Sequence, residues 1–107
     1  MIYLATPYSH PDESVMEKRF LRACEIASDL MKQGMIVFSP IAHTHPIAVA
    51  GSLPRGWVFW ERFDREFIGA SEKLIVAKMD GWEASSGVTR EIQIAQELGK
   101  PVLYMSA

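Results

Sequence analysis

Four short apolar runs, each separated from the next by a stretch of helical periodicity, limit what this chain can become. The runs are Ile2–Ala5, Met35–Phe38, Leu74–Met79 and Pro101–Met105. All are strand-sized, far below the ~20 apolar residues that a membrane-spanning helix needs. Between the first two lies a segment opened by Pro11-Asp12-Glu13, with proline and acids where a helix's first turn favours them. Met16, Phe20, Ala23, Ala27, Leu30 and Met31 recur there at three- and four-residue spacing, which predicts one apolar helix face ending at Gly34. Strand, crossover helix and strand make a βαβ unit, which is right-handed in nearly all cases and leaves its strands parallel. Trp57, Trp60, Phe63 and Phe67 mark a second amphipathic helix. Ser85-Ser86-Gly87 opens another, striped by Ile92, Ala95 and Leu98 and capped by Gly99.

Strands alternating with helices predict one α/β domain over residues 1–107, a parallel sheet with helices on both faces. The expected strand order is 2-1-3-4, a flavodoxin- or Rossmann-like arrangement. Ligands of such sheets bind beyond the carboxyl ends of the strands, where the order reverses. Tyr3 to Ser9, Asp80 to Glu91 and the loop around His43 are expected at that edge. Ile41 to Gly56 reads as a functional loop, with two prolines, two glycines and His43-Thr44-His45, and with room for a short helix near Ile47–Ala50.

Composition removes several function classes. A net charge of −2 with scattered basic residues does not suit a binder of nucleic-acid backbone. The chain opens on strand-like residues without a basic leader, so no signal peptide is expected. A single cysteine, Cys24, allows no internal disulfide and suits a reducing compartment, so a cytoplasmic location is expected. Cys24 falls on the predicted buried helix face, where it packs rather than reacts.

Ser85-Ser86-Gly87-Val88-Thr89-Arg90-Glu91 is the segment richest in chemistry. A serine-glycine turn entering a helix presents free amides and hydroxyls to an anion or a sugar. Glu91, on the second helical turn, can point into the same cleft; on a helix, a glutamate is otherwise a solvated surface charge. A carboxylate held against an anomeric carbon is what nucleophilic glycosyl transfer requires. Asp64 offers a second carboxylate, for sugar hydroxyls or proton handling, or is a wet-face charge of its helix. Tyr3 is either core or the group that orients the nucleophile. His43 and His45 raise a metal site, but with no cysteine nearby and rings expected on opposite sides, hydrogen bonding to substrate or backbone is the preferred reading. Trp82, beside the Asp80-Gly81 turn, is the candidate for stacking on a nucleobase. No metal and no cofactor are expected.

Together these segments resemble the nucleoside 2-deoxyribosyltransferase superfamily, which includes the 2′-deoxynucleoside 5′-phosphate N-hydrolases. Ile2 to Pro7 match an opening Ile-Tyr-Leu-Ala-x-Pro strand and turn. Asp64, Glu72 and Leu74–Ala77 match a helical aspartate, a later acid and an apolar strand. Gly87, Glu91, Ile92, Ala95, Gly99 and Lys100 match a Gly-x-x-x-Glu-(Leu/Ile)-x-x-Ala-x-x-x-Gly-Lys segment. The resemblance implies an enzyme in which Glu91 is the nucleophile, Asp64 positions the sugar and handles protons, and Tyr3 orients Glu91. It also implies a small-molecule substrate held by Ala5, Thr6, Pro7, Ser9, His43, His45, Asp80, Trp82, Ser85, Ser86 and Gly87, and a homo-oligomer with the site shared between subunits.

Two features depart from the pattern. Ser85 stands where transferases often carry aspartate, as in the nucleotide hydrolases, where the serine helps hold a 5′-phosphate. Yet Tyr8-Ser9-His10 replaces the arginine those hydrolases carry in the first loop. The histidine triplet and the Trp57–Trp60 pair fit neither subgroup and are similar instead to bacterial and phage proteins grouped as a domain of unknown function. The alternative on the same fold is a nucleotide-binding sensor without catalysis.

Overall fold

The computed structural model describes residues 1–107. Its elements in chain order are β1 (Ile2–Ala5), α1 (Glu13–Lys32), β2 (Val37–Phe38), α2 (Pro40–Gly51), α3 (Trp57–Gly69), β3 (Lys73–Lys78), α4 (Ser86–Glu97) and β4 (Val102–Ser106). The four strands form one parallel sheet in the order β2-β1-β3-β4, as the alternation of strand and helix predicted. No helix is long and apolar enough to cross a membrane.

Side chains of a strand alternate between faces, so β1 serves two cores at once. Ile2 and Leu4 join Ile26, Ala27 and Leu30 of α1 on one face of the sheet. Tyr3 and Ala5 join Ile68 of α3 and Val88, Ile94 and Ala95 of α4 on the other. Tyr3 is fully buried, and its register beside Leu74 of β3 and Phe38 of β2 directs its ring towards the layer that carries Asp64 and Glu91.

The helices follow local rules with informative exceptions. Asp12 caps α1 by accepting from the Ser14 amide at 2.8 Å. Within α1 the buried stripe takes in Ile26 and leaves Met31 half-exposed at 51%, one position off the expected face, and Cys24 is only partly buried. The expected loop from Ile41 is instead mostly helical. Ser39 caps α2 through its Oγ, which accepts from the Ala42 amide, and Pro40 occupies the first turn, where its missing N–H costs nothing. Pro46 lies inside this helix, and Ser52, in the left-handed conformation at φ 50°, ends it.

Candidate active site

A cleft of about 960 Å³ opens at the carboxyl end of the sheet, between the loop after β1, the helices α2 and α3, and the start of α4. Each element contributes for a reason set by its own sequence. Ser85 caps α4, its Oγ accepting from the Val88 amide at 3.2 Å, and the first-turn amides that helix geometry leaves unpaired face this end of the molecule. Val88, Glu91, Ile94 and Ala95 are the buried residues of α4. Glu91 therefore occupies a place in the core-facing stripe, three residues after Val88 and four before Ala95, and is only 5% exposed.

A buried carboxylate needs a donor, and Tyr3 is that donor. Its hydroxyl donates to Glu91 Oε2 at 2.5 Å. Asp64, from α3, lies on the cleft wall beside them. Burial raises the Glu91 carboxyl well above the ordinary value, the neighbouring Asp64 charge raises it further, and the Tyr3 bond works in the opposite direction. Asp64 is pushed up to about 6, mainly by burial, with Tyr3 again opposing. Tyr3 itself is held protonated by burial and by the two carboxylates. Two like charges this close do not ionise independently, so the pair retains a proton into the near-neutral range.

Holding such a pair costs stability, and the sign is testable. A carboxyl whose native value exceeds its unfolded one binds more protons when folded, so stability falls as pH rises between the two values. For Asp64 that window runs from the ordinary 3.8 to about 6. Asp64→Asn is expected to be more stable than the wild type by about 2 kcal/mol at pH 8, with the difference vanishing near pH 4. Urea denaturation at the two pH values measures this; an unchanged difference across the range would show that the strain of ionisation is absent.

The family model for a domain of unknown function (DUF1937) matches residues 1–107. The chain belongs to that family. No curated protein matches it.

In this DUF1937 domain the cleft gathers Thr6, Ser9, His45, Asp64, Ser85, Ser86, Gly87 and Glu91, all anticipated from the sequence. The Thr6 hydroxyl, almost fully buried, has no hydrogen-bond partner within the protein. Five other anticipated residues lie elsewhere. Ala5 is packed in the core, and Pro7 is buried without lining the cleft. Asp80 is exposed outside it. Trp82 packs against Tyr104, ring centroids 5.7 Å apart, because the β3–α4 turn directs it towards β4; Trp57 and Trp60 stand in the cleft instead. His43 turns away towards Phe38 and Phe67 at 5.5 and 6.1 Å. Two residues apart on a helix, His43 and His45 must face nearly opposite sides.

Several cleft residues had not been anticipated. Arg90 lies over the Trp57 ring at 4.9 Å, and Arg55 pairs with Glu13 at 3.1 Å across the mouth. Tyr8 and Glu17 both bond to His45. Arg19 holds the loop carrying Tyr8 by donating to the Tyr8 and Ser9 carbonyls at 3.4 and 3.0 Å. Gly81, at φ 87°, makes room for that guanidinium: a Cβ there would stand 2.6 Å from Arg19 Nη2.

Proposed function

We propose that this domain cleaves or exchanges the N-glycosidic bond of a nucleoside or nucleoside 5′-monophosphate, with Glu91 as nucleophile. One observation carries the reading: a glutamate buried on the core face of α4 opens onto a large cleft, with one oxygen engaged by Tyr3 and a second carboxylate alongside. Tyr3 holds Oε2 in place and leaves the other oxygen for attack. In the first step that oxygen bonds to the anomeric carbon as the carbon–nitrogen bond breaks, and the electron pair leaves with the base. In the second step water or another base takes the sugar from the glycosyl ester and frees the carboxylate. Asp64 is assigned to a sugar hydroxyl and to the proton on the carboxylate pair. Thr6, Ser85 and the first-turn amides of α4 supply donors for the far end of the sugar or its phosphate.

A buried carboxylate with a second, partly buried one repelling it favours this reading over a nucleotide sensor, which gains nothing from them. The resemblance to the nucleoside 2-deoxyribosyltransferase superfamily assigns the same three residues the same roles. It also supports a homo-oligomer with a shared site, and the lone Cys24 suits a cytoplasmic setting.

The test is a product screen across deoxy- and ribonucleosides and their 5′-monophosphates, with and without an acceptor base. Free base is expected, accompanied by a new nucleoside if the domain transfers. Saturable nucleotide binding with no base release from any compound would overturn the proposal and leave a binding module.

A further inference from the structure

A second group of titratable side chains lines the same cleft as the carboxylate pair. Tyr8 follows the Thr6-Pro7 stop of β1 and is half-buried on the cleft wall. Its hydroxyl lies 2.5 Å from His45 Nδ1. His45, 9% exposed and stacked on Phe20 at a centroid distance of 4.3 Å, places Nε2 at 2.7 Å from Glu17 Oε2. Glu17 is 55% exposed at its side chain. The three thus form a chain from a water-facing carboxylate, through a buried imidazole, to a phenol on the cleft wall.

The hydrogen-bonding roles follow from the donor inventory. An ionised Glu17 only accepts, so His45 Nε2 carries a hydrogen. Nδ1 then has two states. In the neutral ring it accepts from Tyr8, whose lone pairs remain available to the cleft. In the cation it donates to Tyr8 Oη, which frees the tyrosine's own proton to be given to a ligand. A histidine kept only for packing against Phe20 has no need of a cleft-facing phenol on its second nitrogen.

Glycosyl transfer needs such a proton source. The base departs with the electron pair of the broken bond, and its ring nitrogen and a phenolate are bases of comparable strength. We infer that Tyr8 is the acid that protonates the departing nucleobase, with the proton replaced from His45, which Glu17 orients; the inference rests on the glycosyl transfer proposed above. As the carbon–nitrogen bond breaks, Tyr8 Oη–H passes its proton to the ring nitrogen, and His45 Nδ1–H passes one to Tyr8 Oη. Neutral His45 keeps its Nε2 hydrogen on Glu17 and regains the lost proton from water once the base has gone. When a second base is the acceptor, the same steps run in reverse and Tyr8 removes its proton. Burial raises the Tyr8 hydroxyl above its ordinary value, Arg55 lowers it and Glu17 raises it; a phenol held this way gives up its proton only as His45 Nδ1–H replaces it. The charged groups around this chain are Glu17 from α1, Arg55 with its partner Glu13, and Arg19 on the backbone carbonyls of Tyr8 and Ser9.

The experiment is a leaving-group series: kcat/KM for nucleosides whose bases span a range of acidity, compared among wild type, Tyr8→Phe, Glu17→Gln and Glu91→Gln. A base that needs a proton to leave is expected to lose about 10²-fold with Tyr8→Phe. The loss is expected to shrink towards none for the most acidic leaving base, so the dependence on acidity steepens. Glu17→Gln, altered at the exposed end where folding is least affected, is expected to show the same steepening in weaker form. A Tyr8→Phe series parallel to the wild type, whether lowered or not, would overturn the acid role. Failure of the underlying reaction has a different signature: a wild type inert across the series, or a Glu91→Gln variant as active as the wild type.

Discussion

Glu91→Gln is expected to lower base release by at least about 10³-fold, with little change in substrate affinity. The size follows from what the substitution removes. Gln keeps the volume of Glu, and its carbonyl oxygen can still accept the Tyr3 hydrogen bond that now ends on Oε2. The buried stripe it shares with Val88, Ile94 and Ala95 keeps its volume. What is lost is the negative oxygen that the proposed reaction needs for its glycosyl ester, and no other buried residue of α4 carries one. Two measurements check this together. Single-turnover base release compares the variants, and mass analysis of wild type incubated with a slow substrate seeks a pentose adduct on the peptide containing Glu91. Turnover unchanged in Glu91→Gln would end the nucleophile assignment, and an adduct on another peptide would move it. Because a neutral residue replaces a charge that burial disfavours, a loss of activity accompanied by unchanged or raised stability separates chemistry from unfolding.

The layers were legible because the residues that set them repeat simply. Ile2–Ala5 is short, apolar and bounded by Thr6-Pro7, and Leu74 and Val76 alternate with Ile75 and Ala77 across a sheet buried on both sides. The stripe of α4 was less plain. Ile92, Ala95 and Leu98 suggested one face, but Leu98 is 43% exposed and the buried line runs through Val88, Glu91, Ile94 and Ala95. A charged residue within an apolar stripe disguises the period, and that same misfit marks Glu91 as unusual. The helix α2 was hidden for another reason. Pro-Ile-Ala-His-Thr-His-Pro-Ile-Ala-Val-Ala-Gly has no polar stripe opposite an apolar one, and two prolines, so neither periodicity nor propensity announces it. Ser39 before Pro40 was the one local sign of its start. Trp82 and Asp80 sit close to the cleft in sequence, yet the turn at Gly81 carries them away from it. Glu17 could not be distinguished from the other acids of α1, because its partner His45 is twenty-eight residues away and only the crossover of the chain brings them together.

Asp64→Asn is expected to reduce kcat/KM by about 10²-fold and to move the acid limb of the pH profile to lower pH. The two effects have separate origins. The fall in rate follows, in the proposed reaction, from losing the carboxylate assigned to a sugar hydroxyl and to proton handling. The displacement of the limb follows from the charge on its neighbour. In the proposed reaction Glu91 attacks as the ionised form, and after burial the next cause holding its proton is the negative charge of Asp64. Asparagine removes that repulsion while leaving burial and the Tyr3 bond in place, so Glu91 ionises at lower pH than in the wild type and the rate rises earlier on the acid side. Profiles of kcat/KM from pH 4 to pH 9 measure the displacement. Superimposable profiles would mean that Asp64 and Glu91 do not feel each other, and the assigned pairing would fail. An opposite displacement, towards higher pH, would mean that Asp64 holds Glu91 ionised instead of protonated, through a donor shared between them. Since the same variant is expected to gain about 2 kcal/mol at pH 8, a reduced rate in a stabilised protein would identify Asp64 as a residue kept at the expense of the fold, a combination that a solvated wet-face charge cannot produce.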